Sequence, residues 1–350
     1  MGIGHLTLEQ ILPGFAEAKH VKLAALVSGD KQKARAVAQQ HRVPESALYD
    51  YDNFDRMKDN PAIDIVYIVL PNSMHAEFTV RAAQAGKHVL CEKPMAVSSE
   101  ECRRMIDSCR NADRQLMIAY RMQYNKLHRE LIRMVRTRQY GDVRLITAVN
   151  GQNDIPNGQW RQIARMSGGG SLPDVGIYCL NAFRYLTGEE PYAVTGQITK
   201  PKGDPRFREV EDVCMFTLRF PSGVVASGVS GYSFHEYRQL RVTASDAWFG
   251  ADPAFSYGNL ALQIGHKSGG ANAMEERRFS AENQFAVEMD DFAQRLLRKE
   301  KPLTGGEEGL QDQTIIEAIY RSAAADGAVM KLPETKAIDS TRGTRFQSAS

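Results

Sequence analysis

Short β-branched runs alternate with longer amphipathic stretches from Val21 to about Ile118, and the texture then changes to alternating strands joined by Gly, Pro and Ser turns. With 350 residues to place and about 150 residues per domain, these patterns predict an α/β chain of two domains. The first is at least half of a doubly wound fold, a parallel sheet flanked by helices. The second is an α+β domain on a large open, mainly antiparallel sheet. The division falls at 1–119 and 120–335, and the polar, aperiodic stretch 336–350 reads as a flexible tail.

In the first domain Val21–Val27, Ile63–Leu70, Lys87–Cys91 and Gln115–Ala119 read as strands. Lys31–His41, Met74–Ala85 and Ser98–Asn111 read as helices, the last with a serine cap and two glutamates near its unpaired amide donors. After a helix at Asn125–Thr137 come strands at Val143–Val149, Asp212–Phe220, Val224–Ser230 and Gln239–Thr243. Two late helices, Asn283–Arg298 and Glu308–Ala325, are expected to cover that second sheet.

Composition narrows the function. Forty-four basic against 42 acidic side chains leave a net charge of +2, too little to capture nucleic acid by counterion release. No run approaches the roughly 18 apolar residues that span a bilayer. The five cysteines are odd in number and lack CxxC spacing, so neither a disulfide framework nor a zinc knuckle is expected, and the eight histidines show no metal spacing. No metal is expected, and thiols of this kind fit the cytoplasm.

The chain opens Met1-Gly2-Ile3-Gly4-His5-Leu6-Thr7, a GxGxxT turn before a helix expected to start near Leu8. The first glycine permits a tight turn, the second lets a ligand reach the backbone, and the helix start presents amide donors to a pyrophosphate. Such a turn should follow a strand, yet one residue precedes it. The absent strand is central, between Val21–Val27 and Ile63–Leu70, and its loss leaves unpaired backbone groups and an apolar slot. A natural start upstream of Met1 accounts for this better than a protein built without the strand; a signal peptide and a periplasmic location would then come within reach.

After Val27 stand Ser28, Gly29 and Asp30, followed by Lys31 and Lys33. A hydroxyl at Ser28 and a cation at Lys33 suit a 2′-phosphate, favouring NADP over NAD; equally, the segment reads as a helix cap followed by solvated lysines. Leu90-Cys91-Glu92-Lys93-Pro94 places Lys93 at the carboxyl edge of the parallel sheet, where ligands of such folds bind.

Taken with Leu70-Pro71-Asn72-Ser73 and His75, and with the GGGSLPDVGIY stretch from Gly168 to Tyr178, the sequence resembles the Gfo/Idh/MocA oxidoreductases, most closely their glucose-fructose oxidoreductase branch. The likeness runs from Gly2 to about Leu332 and takes in the QWR at 159–161, the TGEEP at 187–191 and the NQF at 283–285. The resemblance implies an N-terminal Rossmann domain for NAD(P), a C-terminal sheet domain that supports the active site and homo-oligomer contacts, and hydride transfer on sugars or cyclitols. It implies cofactor contacts from Gly2, Gly4, His5, Leu6, Ser28, Lys33, Leu70, Pro71, Asn72, His75, Glu92 and Lys93. It implies a catalytic set of Lys93, Asp174 and Tyr178, where many relatives carry His at the Tyr178 position.

Oxidising a hydroxyl requires a proton acceptor beside the hydride acceptor. A tyrosine with an ordinary pKa near about 10 needs a neighbouring cation to serve. Tyr178 is therefore expected as general acid/base, Lys93 as its electrostatic partner and a substrate donor, and Asp174 as an orienting acceptor. Arg121, Tyr124, Trp160 and Arg161 are expected to line the sugar pocket. The expected enzyme is an NADP-dependent sugar oxidoreductase, with a tightly held cofactor and a second sugar as acceptor. A dissociable pentose or aldose 1-dehydrogenase, an anhydrosugar reductase and a non-catalytic nucleotide-sensing scaffold are the rivals.

Overall fold

The computed structural model describes residues 1–153 and 155–335; the tail assigned to 336–350 lies outside the described residues. The chain forms two compact units. One comprises Met1–Arg121 and Asn283–Gln313, the other Met122–Glu282 and the chain from Thr314 onward. The linear division at 119/120 therefore omits a return: a late segment rejoins the first unit.

The glycine turn leads into a helical run that begins at His5, three residues ahead of the expected Leu8. It contains a π turn at Thr7–Ile11 and continues as α1 (Leu12–Glu17). There follow β1 (Leu26–Val27), α2 (Lys31–His41), β2 (Leu48–Tyr49), β3 (Ile65–Ile68), α3 (His75–Gln84), β4 (His88–Glu92), α4 (Ser99–Asn111) and β5 (Leu116–Ala119). The helix starts obey local chemistry. The Asp30 carboxylate accepts the Lys33 amide at 2.9 Å, and the Ser98 hydroxyl accepts that of Glu101 at 3.2 Å.

All these strand pairs are parallel, but they form two separate sheets, β1-β2 and β3-β4-β5. Val21–Val27 and Ile63–Leu70 shorten to β1 and β3 because a strand needs a ladder on its edges, and the edge each turns to the other has one only at its end. Between them lies a cavity of about 600 Å³ lined by apolar side chains such as Leu23, Val27, Ile65 and Phe292.

The second unit runs α5 (Lys126–Arg136), β6 (Val143–Gly151), α6 (Ala164–Ser167), α7 (Ile177–Thr187), β7 (Ala193–Thr199), β8 (Val213–Arg219), β9 (Val225–Gly231), β10 (Tyr237–Ala244), β11 (Ala247–Ala251), β12 (Ala261–Ser268) and β13 (Ala271–Arg278). After α8 (Gln284–Arg298) and α9 (Gly306–Ala324), β14 (Met330–Lys331) completes a nine-stranded sheet ordered β13-β12-β11-β10-β6-β9-β8-β7-β14. Only β6 and β9 pair in parallel, with Leu145 opposite Val225. Helix α7 packs on β6 and β9, so that Leu180, Phe183 and Leu186 are buried. The sheet also leaves apolar side chains in solvent, among them Met215 at 50% and Val225 at 42% exposure.

Helix α8, which the sequence assigned to the second sheet, groups elsewhere. It belongs to the first unit and packs on α1. Gly14 makes the close approach possible, since a Cβ there would sit 3.1 Å from that of Phe285. The Asp290 carboxylate on α8 accepts the amides of Lys19 and His20 at 2.8 and 2.7 Å, closing the end of the first helix.

Candidate active site

In the first unit the glycine turn meets the ends of the parallel strands. Gly2 has φ +82° and donates its amide to Val27 O at 2.9 Å. A Cβ at Gly2 would lie 2.1 Å from Val69 O, so no other residue fits that turn. A Cβ at Gly4 would meet nothing within 4 Å. Gly4 and His5 are exposed and Leu6 half-buried at the helix start, where free amides and the helix dipole favour an anion.

The Ser28 stretch forms the helix cap that one reading of the sequence gave it. Asp30 caps α2, and Lys31 is paired with Asp50 at 3.2 Å. Ser28 is buried and its Oγ accepts the Asp30 amide at 3.1 Å, so its hydroxyl proton remains to be donated. Lys33 is half-buried and, among the described residues, has no ion-pair partner. Hydroxyl and ammonium fit a 2′-phosphate.

Leu70, Pro71 and Asn72 follow β3, and Glu92 and Lys93 close β4. His75, placed by sequence among the cofactor contacts, is fully buried with Nδ1 2.9 Å from Pro94 O and Nε2 2.9 Å from Leu70 O. Its ring therefore ties the two loops together instead of facing a ligand. Burial holds its pKa below the usual value. The Glu92 carboxylate accepts the Tyr67 hydroxyl at 2.8 Å and the Lys93 amide at 3.2 Å. Burial raises its pKa, while the Lys93 charge works the other way. Glu288 on α8 is fully buried, neither carboxyl oxygen is hydrogen-bonded, and burial together with Glu92 favours its neutral form.

The second unit presents the other residues. From Ser171 to Leu186 every side chain is buried except Asp174 and Tyr178, which are half-buried. Four positions apart on a helical run, they share a face. A π turn at Leu172–Gly176 carries Asp174 into α7. Asn150 Nδ2 donates to Val175 O at 2.9 Å, and the Glu211 carboxylate accepts the amides of Gly170 and Leu172 at 2.8 and 2.9 Å and the Tyr320 hydroxyl at 2.9 Å. The Val175 carbonyl and the Gly170 and Leu172 amides are backbone groups in and around the irregular turn, and these side chains satisfy them.

Asp174 Oδ2 accepts from Arg161 Nε at 3.1 Å and from the Tyr232 hydroxyl at 2.7 Å. The carboxylate raises the pKa of Arg161, and burial followed by Asp174 raises that of Tyr232, so both remain donors at neutral pH. The Arg161 guanidinium also lies over the Trp160 ring at 4.5 Å. Tyr178 packs against Phe255 with ring centroids 5.9 Å apart. Asp174, Arg161 and Trp160 are thus brought together. Tyr124 and Arg121 are not surface groups: Tyr124 has no exposed area, and Arg121, 5% exposed, donates to Gln284 at 2.9 Å.

Residues 1–120 match the family description "Oxidoreductase family, NAD-binding Rossmann fold", and residues 128–249 match "GFO/IDH/MocA C-terminal domain". The chain is similar to the D-xylose 1-dehydrogenase [NADP(+)] of Haloarcula marismortui, at 31% identity over 94% of this chain and 91% of that protein. The chain belongs to the Gfo/Idh/MocA oxidoreductase family. It is an NAD(P)-dependent oxidoreductase with an N-terminal Rossmann domain. A D-xylose 1-dehydrogenase of Haloferax volcanii is 29% identical over 94% of this chain and 98% of that protein. Among solved structures, the aldose-aldose oxidoreductase of Caulobacter crescentus superposes with a TM-score of 0.90 at 44% identity, covering 95% of this chain and 98% of that one.

Tyr232 and Glu211 were missed in the sequence. Both sit in strand-edge segments, Glu211-Asp212 before β8 and Tyr232 after β9, whose local patterns signal only strand ends. Their proximity to the π turn arises from pairing across the sheet. Asp212, which accepts the Tyr232 amide at 3.0 Å, fixes that corner.

Proposed function

We propose that this protein is an NADP-dependent sugar oxidoreductase that exchanges a hydride between nicotinamide and a ring hydroxyl of an aldose-like sugar. The observation that carries this reading is the Asp174–Tyr178 pair, alone in reaching solvent from an otherwise buried helical run, with Asp174 held by Arg161 and Tyr232. NADP, held by Gly2, Gly4, the start of the first helix, Ser28 and Lys33, supplies the hydride acceptor.

Asp174 accepts a hydrogen bond from a sugar hydroxyl and fixes the ring, with Arg161 and the Trp160 face completing recognition. Tyr178 takes the hydroxyl proton, a role in which a neighbouring cation favours its phenolate. Arg161 and Tyr232 hold Asp174 Oδ2 and so fix the orientation of the carboxylate that meets the substrate.

The aldose-aldose oxidoreductase and the xylose dehydrogenases support two versions of the cycle. The higher identity of the former favours a retained cofactor and a second sugar as acceptor; the latter favour release of reduced cofactor. Acid-released nucleotide from the purified protein tests this. Stoichiometric NADP supports retention, and a nucleotide-free protein that turns over with added NADP supports a dissociable dehydrogenase. A non-catalytic scaffold is disfavoured by the intact Asp174 network. We further propose that the sheet face bearing Met215 and Val225 pairs with a second copy of the chain, since exposed apolar area of this kind commonly marks an interface.

A further inference from the structure

Four rings stand in a row in the second unit, and the proposed chemistry uses only Tyr178 among them. Tyr178 packs against Phe255 with centroids 5.9 Å apart and planes at 39°, Phe255 against His128 at 5.8 Å and 38°, and His128 against Tyr185 at 6.1 Å and 72°. The row begins and ends on α7. Tyr178 and Tyr185 lie about two helical turns apart on one face of that helix. The rings between them come from elsewhere: His128 from α5, and Phe255 from the segment joining β11 to β12.

His128 is held at both ring nitrogens. The Ala254 carbonyl can only accept, so Nε2, 2.7 Å away, carries the proton and donates to it, and Nδ1 accepts from the Tyr185 hydroxyl at 2.6 Å. The side chain has no exposed area. An apolar residue would fill the same space without burying two polar atoms, so position 128 supplies direction as well as volume. What it directs is the Ala254 peptide. His128 binds the carbonyl of Ala254, and the amide of Ala254 donates to Arg238 O on β10 at 2.6 Å. Arg238 Nη1 also donates to Ser256 Oγ at 3.4 Å. Phe255, between these two anchored neighbours, is 3% exposed.

We propose that His128 and Phe255 are positioning residues for the Tyr178 phenol. His128 fixes the backbone at Ala254, Phe255 carries that placement across, and the half-buried Tyr178 ring is held in one rotamer against it. This rests on the reading of Tyr178 as the acid/base. A proton acceptor has to lie within hydrogen-bond reach of the hydroxyl it serves, and a displacement of about 1 Å costs about 100-fold in rate. Neither residue touches substrate; both act through Tyr178.

Two measurements on the full chain test the inference. The first places 3-fluorotyrosine at position 178 alone and follows its fluorine resonance, which needs no turnover. Phe255→Leu and His128→Phe should each move the resonance from the parent value towards that of the unfolded chain, and His128→Gln, which keeps a donor for Ala254 O, should move it less. The second is steady-state kinetics with an aldose. Phe255→Leu and His128→Phe should lower kcat by about 10-fold or more with KM and the NADP Kd little changed, because Asp174, Arg161 and Trp160 still hold the sugar. His128→Gln should recover kcat to within about 3-fold of the parent, and in a Tyr178→Phe background none of the three should cost anything further.

Phe255→Leu and His128→Gln keep the test open if His128→Phe does not fold. A resonance unmoved by both Phe255→Leu and His128→Phe, parent-like kcat for both in an enzyme that Tyr178→Phe cripples, or an undiminished loss in the Tyr178→Phe background would each overturn the inference. A Tyr178→Phe protein as active as the parent would instead overturn the acid/base reading, and the fluorine resonance would still decide whether His128 and Phe255 place the ring.

Discussion

The Met1 amine makes the stability of the first unit depend on pH in a window set by one group. In the folded chain its pKa falls from the ordinary 8.0 to about 5 because it is buried. Between those values the unfolded chain binds a proton at this nitrogen and the folded chain does not. Stability therefore drops as pH falls from 8 towards 5 and is unaffected by this amine above 8. Three pH units at about 1.4 kcal/mol each give a maximum of about 4 kcal/mol, and about 2 kcal/mol between pH 8 and 6. Burial also lowers the pKa of His75 and of His88, and these add a loss of the same sign at the acidic end. The comparison that isolates Met1 is the free chain against the N-terminally acetylated chain, by urea unfolding of the first unit from pH 5 to 9. The acetylated chain should lack the drop between pH 8 and 6. Superimposable profiles for the two chains would refute the reasoning.

Asp174→Asn should lower kcat/KM by at least about 100-fold, the loss of a charged hydrogen-bond acceptor, and steady-state kinetics with aldoses should show it with the NADP Kd unchanged. Tyr232→Phe removes one hydrogen bond to that carboxylate and should cost about 10-fold in kcat/KM, while a melting curve stays within a few degrees of the parent. Lys33→Ala should cut the preference for NADP over NAD by about 10-fold, as expected for one charge-assisted phosphate contact; titration with both nucleotides reads it. Glu211→Ala strands two amides of the turn before Asp174 and should destabilise by about 1–3 kcal/mol, measured by denaturant unfolding.

Elements governed by local chemistry were legible. The α2 boundaries were read as Lys31–His41 because Asp30 announces its start, and Ser98, Asn125 and Asn283 likewise cap their helices. The strands at β4, β5, β8 and β9 were placed to within a residue or two for a similar reason, their apolar runs ending at turn residues. Strands β11 to β13 were not read, since the exposed β13, Ala271–Arg278, carries charge instead of alternation. The return of α8 to the first unit is a tertiary fact, and Gly14, which permits it, looks like any helix glycine in the sequence.

At the site, Asp174 and Tyr178 were found from their spacing and the family pattern, and the structure adds why they emerge together from a buried helix. Tyr124 and Arg121 were misplaced because an aromatic and a guanidinium near a motif suit polyol binding and buried packing equally well. Tyr232 carries no local signal; only the corner held by Asp212 brings it to Asp174.

The most direct test follows the reduction of NADP across a panel of aldoses, in the parent protein and in Tyr178→Phe, at saturating NADP confirmed by thermal shift. The account predicts turnover by the parent with at least one aldose, and a loss of about 100-fold or more in the variant, as expected for removing a general base, with cofactor affinity preserved. A parent that binds NADP yet turns over no aldose, or a Tyr178→Phe protein as active as the parent, would contradict it.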